Sequence, residues 1–154
     1  MKELKKYYWH LKDLIVMLSN IKNLRQCINP QNIPFIIINF NQLFYLQKLV
    51  NFAISRGFKK IIIIDNVSTY PPLLEYYKEI RSKVTIERMD KNYGHMVFFE
   101  SKELLSKYGE NFFIITDADI EPNAKLPKYF MYKLLWKLFA YYPNILKVGF
   151  ALRI

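Results

Sequence analysis

Ile61-Ile62-Ile63-Ile64-Asp65 is a strand-type run without alternation, and that property decides the fold class. A strand with one wet face alternates apolar and polar residues. Four consecutive isoleucines instead predict a strand covered on both faces, as in a parallel sheet. Asn66-Val67-Ser68-Thr69 follows as a loop. Pro71 and Pro72 then suit the first turn of a helix, where a missing amide donor costs little.

The same grammar repeats on either side. Upstream, Pro34 opens the apolar run Phe35–Phe40, a position where a strand tolerates proline. Leu43 to Ser55 reads as a helix, and Gly57 suits a left-handed cap after it. Downstream come a strand at Val84–Arg88, a loop at Lys91–His95, a helix to about Tyr108 capped by Gly109, and a strand beginning at Phe112. A long apolar helix is predicted from about Pro127 to Tyr142, and a last strand at Lys147–Leu152. Strands alternating with helices at this spacing predict an α/β fold, a mainly parallel doubly wound sheet with helices on both faces. Residues 1–32 read as a basic N-terminal helix (Lys2 to about Ser19) and an Asn/Gln-rich connector, and 33–154 as the α/β domain.

Composition narrows the class. With 154 residues and 52% hydrophobic content, the chain supports a packed core and is too apolar for disorder. A single cysteine, Cys27, excludes an intrachain disulfide framework and fits a reducing compartment. Neither a secretory signal nor a membrane-spanning segment is predicted, so the reading is cytoplasmic. The net charge of +10 points to acidic partners, and no Asp or Glu follows Glu121. The helix at 128–142 interleaves lysines with tyrosine, phenylalanine and tryptophan. That pattern suits an apolar side that covers the sheet first, and peripheral contact at the inner face of a membrane as the alternative. The lysines are dispersed and no nucleic-acid-binding motif occurs, so no nucleic acid is expected.

Candidate chemistry lies at the strand ends. Phe112-Phe113-Ile114-Ile115-Thr116-Asp117-Ala118-Asp119 is a β-prone run that ends in two carboxylates one residue apart. On extended backbone the two side chains point the same way. Their mutual repulsion is most directly offset by a hard divalent cation, Mg²⁺ or Mn²⁺, which commonly sits between carboxylates and substrate phosphates. Asn39 and Asn41, Asp65 and the Asn92–His95 loop fall at the same rim, where ligands bind in open α/β sheets. With four glycines and no Gly-rich phosphate loop, a metal is the more natural way to offset phosphate charge. Each residue also has a structural reading. Asp65 can cap its loop, Asn39 and Asn41 can form turns, Asn92-Tyr93-Gly94 can be a plain turn, and His95 can be a surface residue.

Pro34–Asn41, Ile61–Ser68, Lys91–His95 and Thr116–Pro122, in that order and spacing, resemble family 2-like glycosyltransferases of the GT-A fold. Asp117-Ala118-Asp119 resembles the family's DxD motif. The resemblance implies a Rossmann-like nucleotide-binding half, a nucleotide-diphosphate-sugar donor, Mn²⁺ or Mg²⁺, and a glycan or lipid-linked acceptor hydroxyl, as in polysaccharide biosynthesis. By the same resemblance Asn39 and Asn41 lie against the base, and Asp65 binds the base or ribose. Asn92 and Gly94 shape the donor pocket with His95 beside them, Asp117 approaches ribose or metal, and Asp119 binds the metal.

The family's usual catalytic carboxylate lies later in the chain than DxD, and none is found there. The expectation is therefore a donor-binding half that ends before an acceptor half, with the catalytic residue unassigned and enzyme activity an open question. The alternatives are an inactive fragment or a non-catalytic basic module that binds nucleic acid or anionic lipid.

Overall fold

The computed structural model describes residues 2–123, 125–142 and 144–150, with side chains from Leu11 onward. The chain forms two compact units, Gln31–Lys125 and a second built from both ends, Met1–Pro30 with Leu126–Ile154.

The first unit holds a four-stranded, all-parallel sheet ordered β3-β2-β1-β4, with β1 at Phe35–Asn39, β2 at Ile61–Asp65, β3 at Thr85–Arg88 and β4 at Ile114–Asp117. Both central strands are buried along their whole length, as the unalternating isoleucines predict. In register, Asn39 lies beside Asp65, Asp65 beside Arg88, and Ile38 beside Asp117, so these polar side chains share one rim.

Between the strands run α3 (Phe44–Ser55), α4 (Pro71–Ile80), α5 (Val97–Glu100) and α6 (Lys102–Tyr108). Because side chains alternate along a strand, the even-numbered isoleucines of β1 and β2 point one way and their odd-numbered neighbours the other. Ile36, Ile38, Ile62 and Ile64 pack with Val97 and Phe98 of α5 and Leu104 of α6, and Phe113 and Ile115 lie against this cluster. On the opposite face Phe35 meets Phe58 edge to face, while Asn39 and Asp65 reach Tyr77 of α4. The sheet is thus covered on both faces. Gly57 follows α3 with φ +80°, the left-handed conformation its position requires.

Four elements differ from the sequence reading. The connector at 20–32 contains a helix, α2 (Ile21–Ile28), and a 3₁₀ turn at Pro30–Asn32. Asn20 starts α2 by accepting from the Lys22 and Asn23 amides at 2.9 and 3.4 Å. The helix expected to run to Tyr108 is broken by Ser101, whose extended backbone ends α5 and whose hydroxyl caps α6 through the Leu104 amide at 3.2 Å. Strand β4 starts at Ile114 rather than Phe112 and is only half-buried, because it lies at the sheet edge with β1 as its one paired neighbour. No strand forms among the described residues of the last expected one, Lys147–Phe150; Ala151 and Leu152 lie outside the described residues.

The second unit contains α1 (Lys2–Ser19), α2 and α7 (Phe130–Tyr141), the last two joined by a Tyr132 hydroxyl that donates to the Ile28 carbonyl at 3.0 Å. No helix among the described residues is long and apolar enough to cross a membrane.

Candidate active site

An open cleft of about 360 Å³ lies at the carboxyl ends of β1 and β4. Its floor is Ile38, Asn39 and Phe40 from the end of β1. One wall is Asp117, Ala118 and Asp119, and the other is Asn66 with Asn92, Gly94 and His95; Gln42 completes the rim. The volume is within the range of small-ligand sites, roughly 300–1,000 Å³. A second depression of about 470 Å³ opens at the amino ends of the strands, among Lys59, Lys60, Arg81 and Lys83. Those cations follow the C-termini of α3 and α4, where the helix dipole accounts for them.

The two carboxylates reach the cleft by different means. Asp117 is the last residue of β4 and, two positions after Ile115, points to the α5 side of the sheet. The backbone then turns. Ala118 is buried with its amide bound to the Ile38 carbonyl at 3.0 Å, and Asp119 follows in the turn. Strand alternation therefore does not set the direction of Asp119, contrary to the extended-backbone expectation. Both carboxylates are exposed and both line the cleft.

Asp65 behaves differently, because it falls on the other face of the sheet. It is fully buried and does not line the cleft. Its Oδ1 accepts from the Tyr77 hydroxyl at 2.9 Å, and its Oδ2 accepts from the Ser68 amide at 3.1 Å and lies 3.4 Å from Arg88 Nε. Arg88 also donates to the Ser68 carbonyl at 3.0 Å. A buried carboxylate requires such partners, and here they fix the loop after β2. Asn39, 1% exposed, donates from Nδ2 to the Tyr77 oxygen at 2.8 Å, while its Oδ1 has no partner among the described residues. Burial pushes the Tyr77 hydroxyl well above its ordinary pKa of 10.0; the Asn39 hydrogen bond opposes this and the Asp65 charge adds to it.

Asn41 also lies outside the cleft lining. At φ +53° it accepts from the Thr69 and Tyr70 amides at 2.8 and 3.0 Å, tying the loop after β1 to the start of α4. Its own amide donates to the Ser68 hydroxyl at 2.8 Å. Asn92 accepts from the Gly94 amide at 2.8 Å, and Gly94 turns the chain at φ +73°. His95 is exposed on the short 3₁₀ turn that follows.

Two features of this rim were not singled out from sequence. Asn66, 2% exposed, donates to the Gly94 carbonyl at 2.9 Å and accepts from the Tyr93 amide at 3.3 Å, so it clamps the Asn92–His95 wall to the end of β2. Val67 takes φ +60°, which is costly for a β-branched residue, and its amide folds back to the Asp65 carbonyl at 2.9 Å. The available signal for both was Asp65 itself, since a buried carboxylate demands a tightly turned, amide-rich loop.

No protein-family model matches the chain, and no curated protein matches it. Among solved structures the chain is similar to S. aureus TarS (residues 1–349), a GT-A-type glycosyltransferase, with a TM-score of 0.52 and 17% identity. The match covers 71% of this chain and 33% of that one. The fold is GT-A-like. At this identity the likeness is one of fold, and the chain spans about a third of its neighbour's length.

The site residues permit a specific test of metal compatibility. No group of three or more His, Cys, Asp or Glu side chains that could hold an ion comes together among the described residues. Asp117 and Asp119 are two hard oxygen donors open to solvent. Such a set fits Mg²⁺ or Mn²⁺ sharing its coordination with waters and phosphate oxygens, rather than an ion caged by protein alone.

Proposed function

We propose that this cleft is the donor site of a family 2-like glycosyltransferase, binding a nucleotide-diphosphate sugar together with Mn²⁺ or Mg²⁺. The observation that carries the proposal is the pair Asp117 and Asp119, both solvent-open at the carboxyl end of a parallel strand in a GT-A-like fold. The cleft has no glycine-rich phosphate loop, so the diphosphate charge must be met by a cation. Asp117 and Asp119 would hold that cation, which would supply Lewis-acid stabilisation to a departing diphosphate.

The remaining residues shape the pocket. Asn39 forms part of the cleft floor, where its buried side chain is held by the Tyr77 oxygen and sets the surface on which the base would rest. Asp65 positions rather than touches, since both of its oxygens are engaged through Tyr77, Ser68 and Arg88. Asn66 holds the Tyr93–Gly94 wall in place, and His95 on the same wall would be the residue to contact a donor phosphate. Transfer to a glycan or lipid-linked hydroxyl is the reaction this donor site serves. The unit that contains the cleft carries twelve Lys and Arg against eleven Asp and Glu, a near-neutral balance that favours a metal-dependent ligand over a polyanion.

The test is a thermal-shift titration with UDP- and GDP-sugars, with and without Mn²⁺. A ligand at about a hundred times its Kd stabilises by about 2.7 kcal/mol, or roughly 5–10 °C for a chain of this size. The shift should require Mn²⁺ and vanish in Asp119→Asn. A shift of equal size in Asp117→Asn/Asp119→Asn would remove the proposal.

A further inference from the structure

Nine of the ten net positive charges fall in the unit formed by Met1–Pro30 and Leu126–Ile154, which has eleven Lys and Arg against two Asp and Glu. The same unit exposes thirteen of the nineteen large apolar side chains that face solvent among the described residues. Basic charge and exposed apolar surface are therefore concentrated in one unit, and the cleft belongs to the other.

The arrangement on each helix is specific. α7 buries Phe130, Met131 and Leu135, yet its outer face is not polar. Tyr129, Tyr132 and Trp136, three and four residues apart, form an aromatic stripe there, with Lys133 and Lys137 beside it. Lys133 Nζ lies 5.0 Å from the centre of the Tyr129 ring. α2 repeats the pattern with Ile21, Leu24 and Ile28 on one exposed face, next to Lys22 and Arg25; Ile28 is 68% exposed. No described helix is long and apolar enough to span a bilayer.

We propose that this unit docks on an anionic lipid bilayer, with the exposed faces of α2 and α7 lying in the headgroup region. Aromatic and aliphatic side chains enter the acyl boundary while the lysines meet lipid phosphates, the combination that holds amphipathic helices in an interface. Charge selects an anionic surface. The aliphatic residues select hydrocarbon over nucleic acid, whose bases stack on aromatic rings and leave isoleucine and leucine uncovered. The inference goes beyond the donor-site reading and does not depend on it.

The chain carries its own reporter. Both tryptophans, Trp9 and Trp136, belong to this unit, so indole emission reports on it. Vesicles of equal parts phosphatidylglycerol and phosphatidylcholine should pull the full chain down in co-sedimentation and shift its emission to the blue, with quenching by bromine-labelled acyl chains. High salt should release it. Lys133→Glu/Lys137→Glu should weaken partitioning by about ten- to thirty-fold, at roughly tenfold or less per lysine. Trp9→Phe assigns the emission to Trp136, and Trp136→Ala read by co-sedimentation should weaken binding independently of fluorescence. Equal binding to pure phosphatidylcholine, or no binding to either vesicle, overturns the proposal. So does a concentration-dependent blue shift without lipid accompanied by a dimer in sedimentation velocity, or RNA binding that protects Trp136 while vesicles do not.

Discussion

The Tyr77 hydroxyl stands between two buried polar side chains, giving its proton to Asp65 Oδ1 at 2.9 Å and accepting the Asn39 amide at 2.8 Å. Removing it leaves a buried carboxylate oxygen and a buried amide each short of a partner. Tyr77→Phe is expected to cost about 1–3 kcal/mol in urea unfolding, and a loss near zero would mean that water replaces the hydroxyl freely. The raised pKa of Tyr77 sets the alkaline behaviour. The native state keeps a proton that the unfolded chain releases above its ordinary value of 10.0, so this contribution is present below pH 10 and lost as pH rises beyond it. Tyr77→Phe should flatten that part of the alkaline stability decline.

Asn66→Ala is expected to loosen one wall of the cleft more than the fold. The amide of Tyr93 and the carbonyl of Gly94 both lose their side-chain partner. Hydrogen exchange should show the Tyr93 amide losing protection while the β1 and β2 amides keep theirs. Global stability should fall by about 1–2 kcal/mol. A uniform loss of protection across the sheet would show that the clamp belongs to the core.

Val67→Asn should stabilise. Valine at φ +60° carries backbone strain that asparagine, which visits this conformation readily, largely relieves. A gain of about 1 kcal/mol, seen as a melting temperature about 2–4 °C higher, is the expected result. A lower melting temperature would show that the half-buried valine side chain contributes more packing than its backbone costs.

Glu87 supplies the acid-side counterpart. A hydrogen bond from Lys107 at 2.6 Å, followed by one from the Tyr108 hydroxyl, holds its carboxyl below the ordinary value of 4.5 against the opposing effect of burial. The unfolded state therefore binds this proton more readily. The contribution is complete above the ordinary value and fades as pH falls through the lowered native one. Glu87→Gln should melt at a lower temperature than the parent chain at pH 7. The gap should close as pH falls from 4.5 through the lowered native value, and a gap that persists in acid would exclude this carboxylate as its cause.

Much of the fold could be read directly because it rests on local rules. The isoleucine run, Pro71 at a helix start and Gly57 after a helix each impose a conformation with little help from elsewhere. Helix α2 was less visible. Its stripe of Ile21, Leu24 and Ile28 was present, but asparagine and glutamine dominated the segment, and the capping role of Asn20 depends on a turn that composition does not reveal. Asp65 illustrates a deeper limit. Two-residue periodicity places it on the face of Ile61 and Ile63, yet whether that face meets α4 or the cleft depends on register and crossover geometry, which no single strand encodes. Asp117 and Asp119 were legible as a pair, whereas the turn at Ala118 that presents them was not.

The second compact unit is assembled from the first thirty residues and from Leu126 onward, with ninety-five residues between them. During synthesis those ninety-five residues leave the ribosome over roughly 5–20 s. Throughout that interval α1 and α2 are complete, while Tyr132, which donates to the carbonyl of Ile28, has not yet been made. The sheet has its sequence in hand before α7 exists, so the helical unit is the last part of the molecule able to close. Until then its sticky, cationic faces belong to the nascent chain, in need of a temporary chaperone or an early landing place.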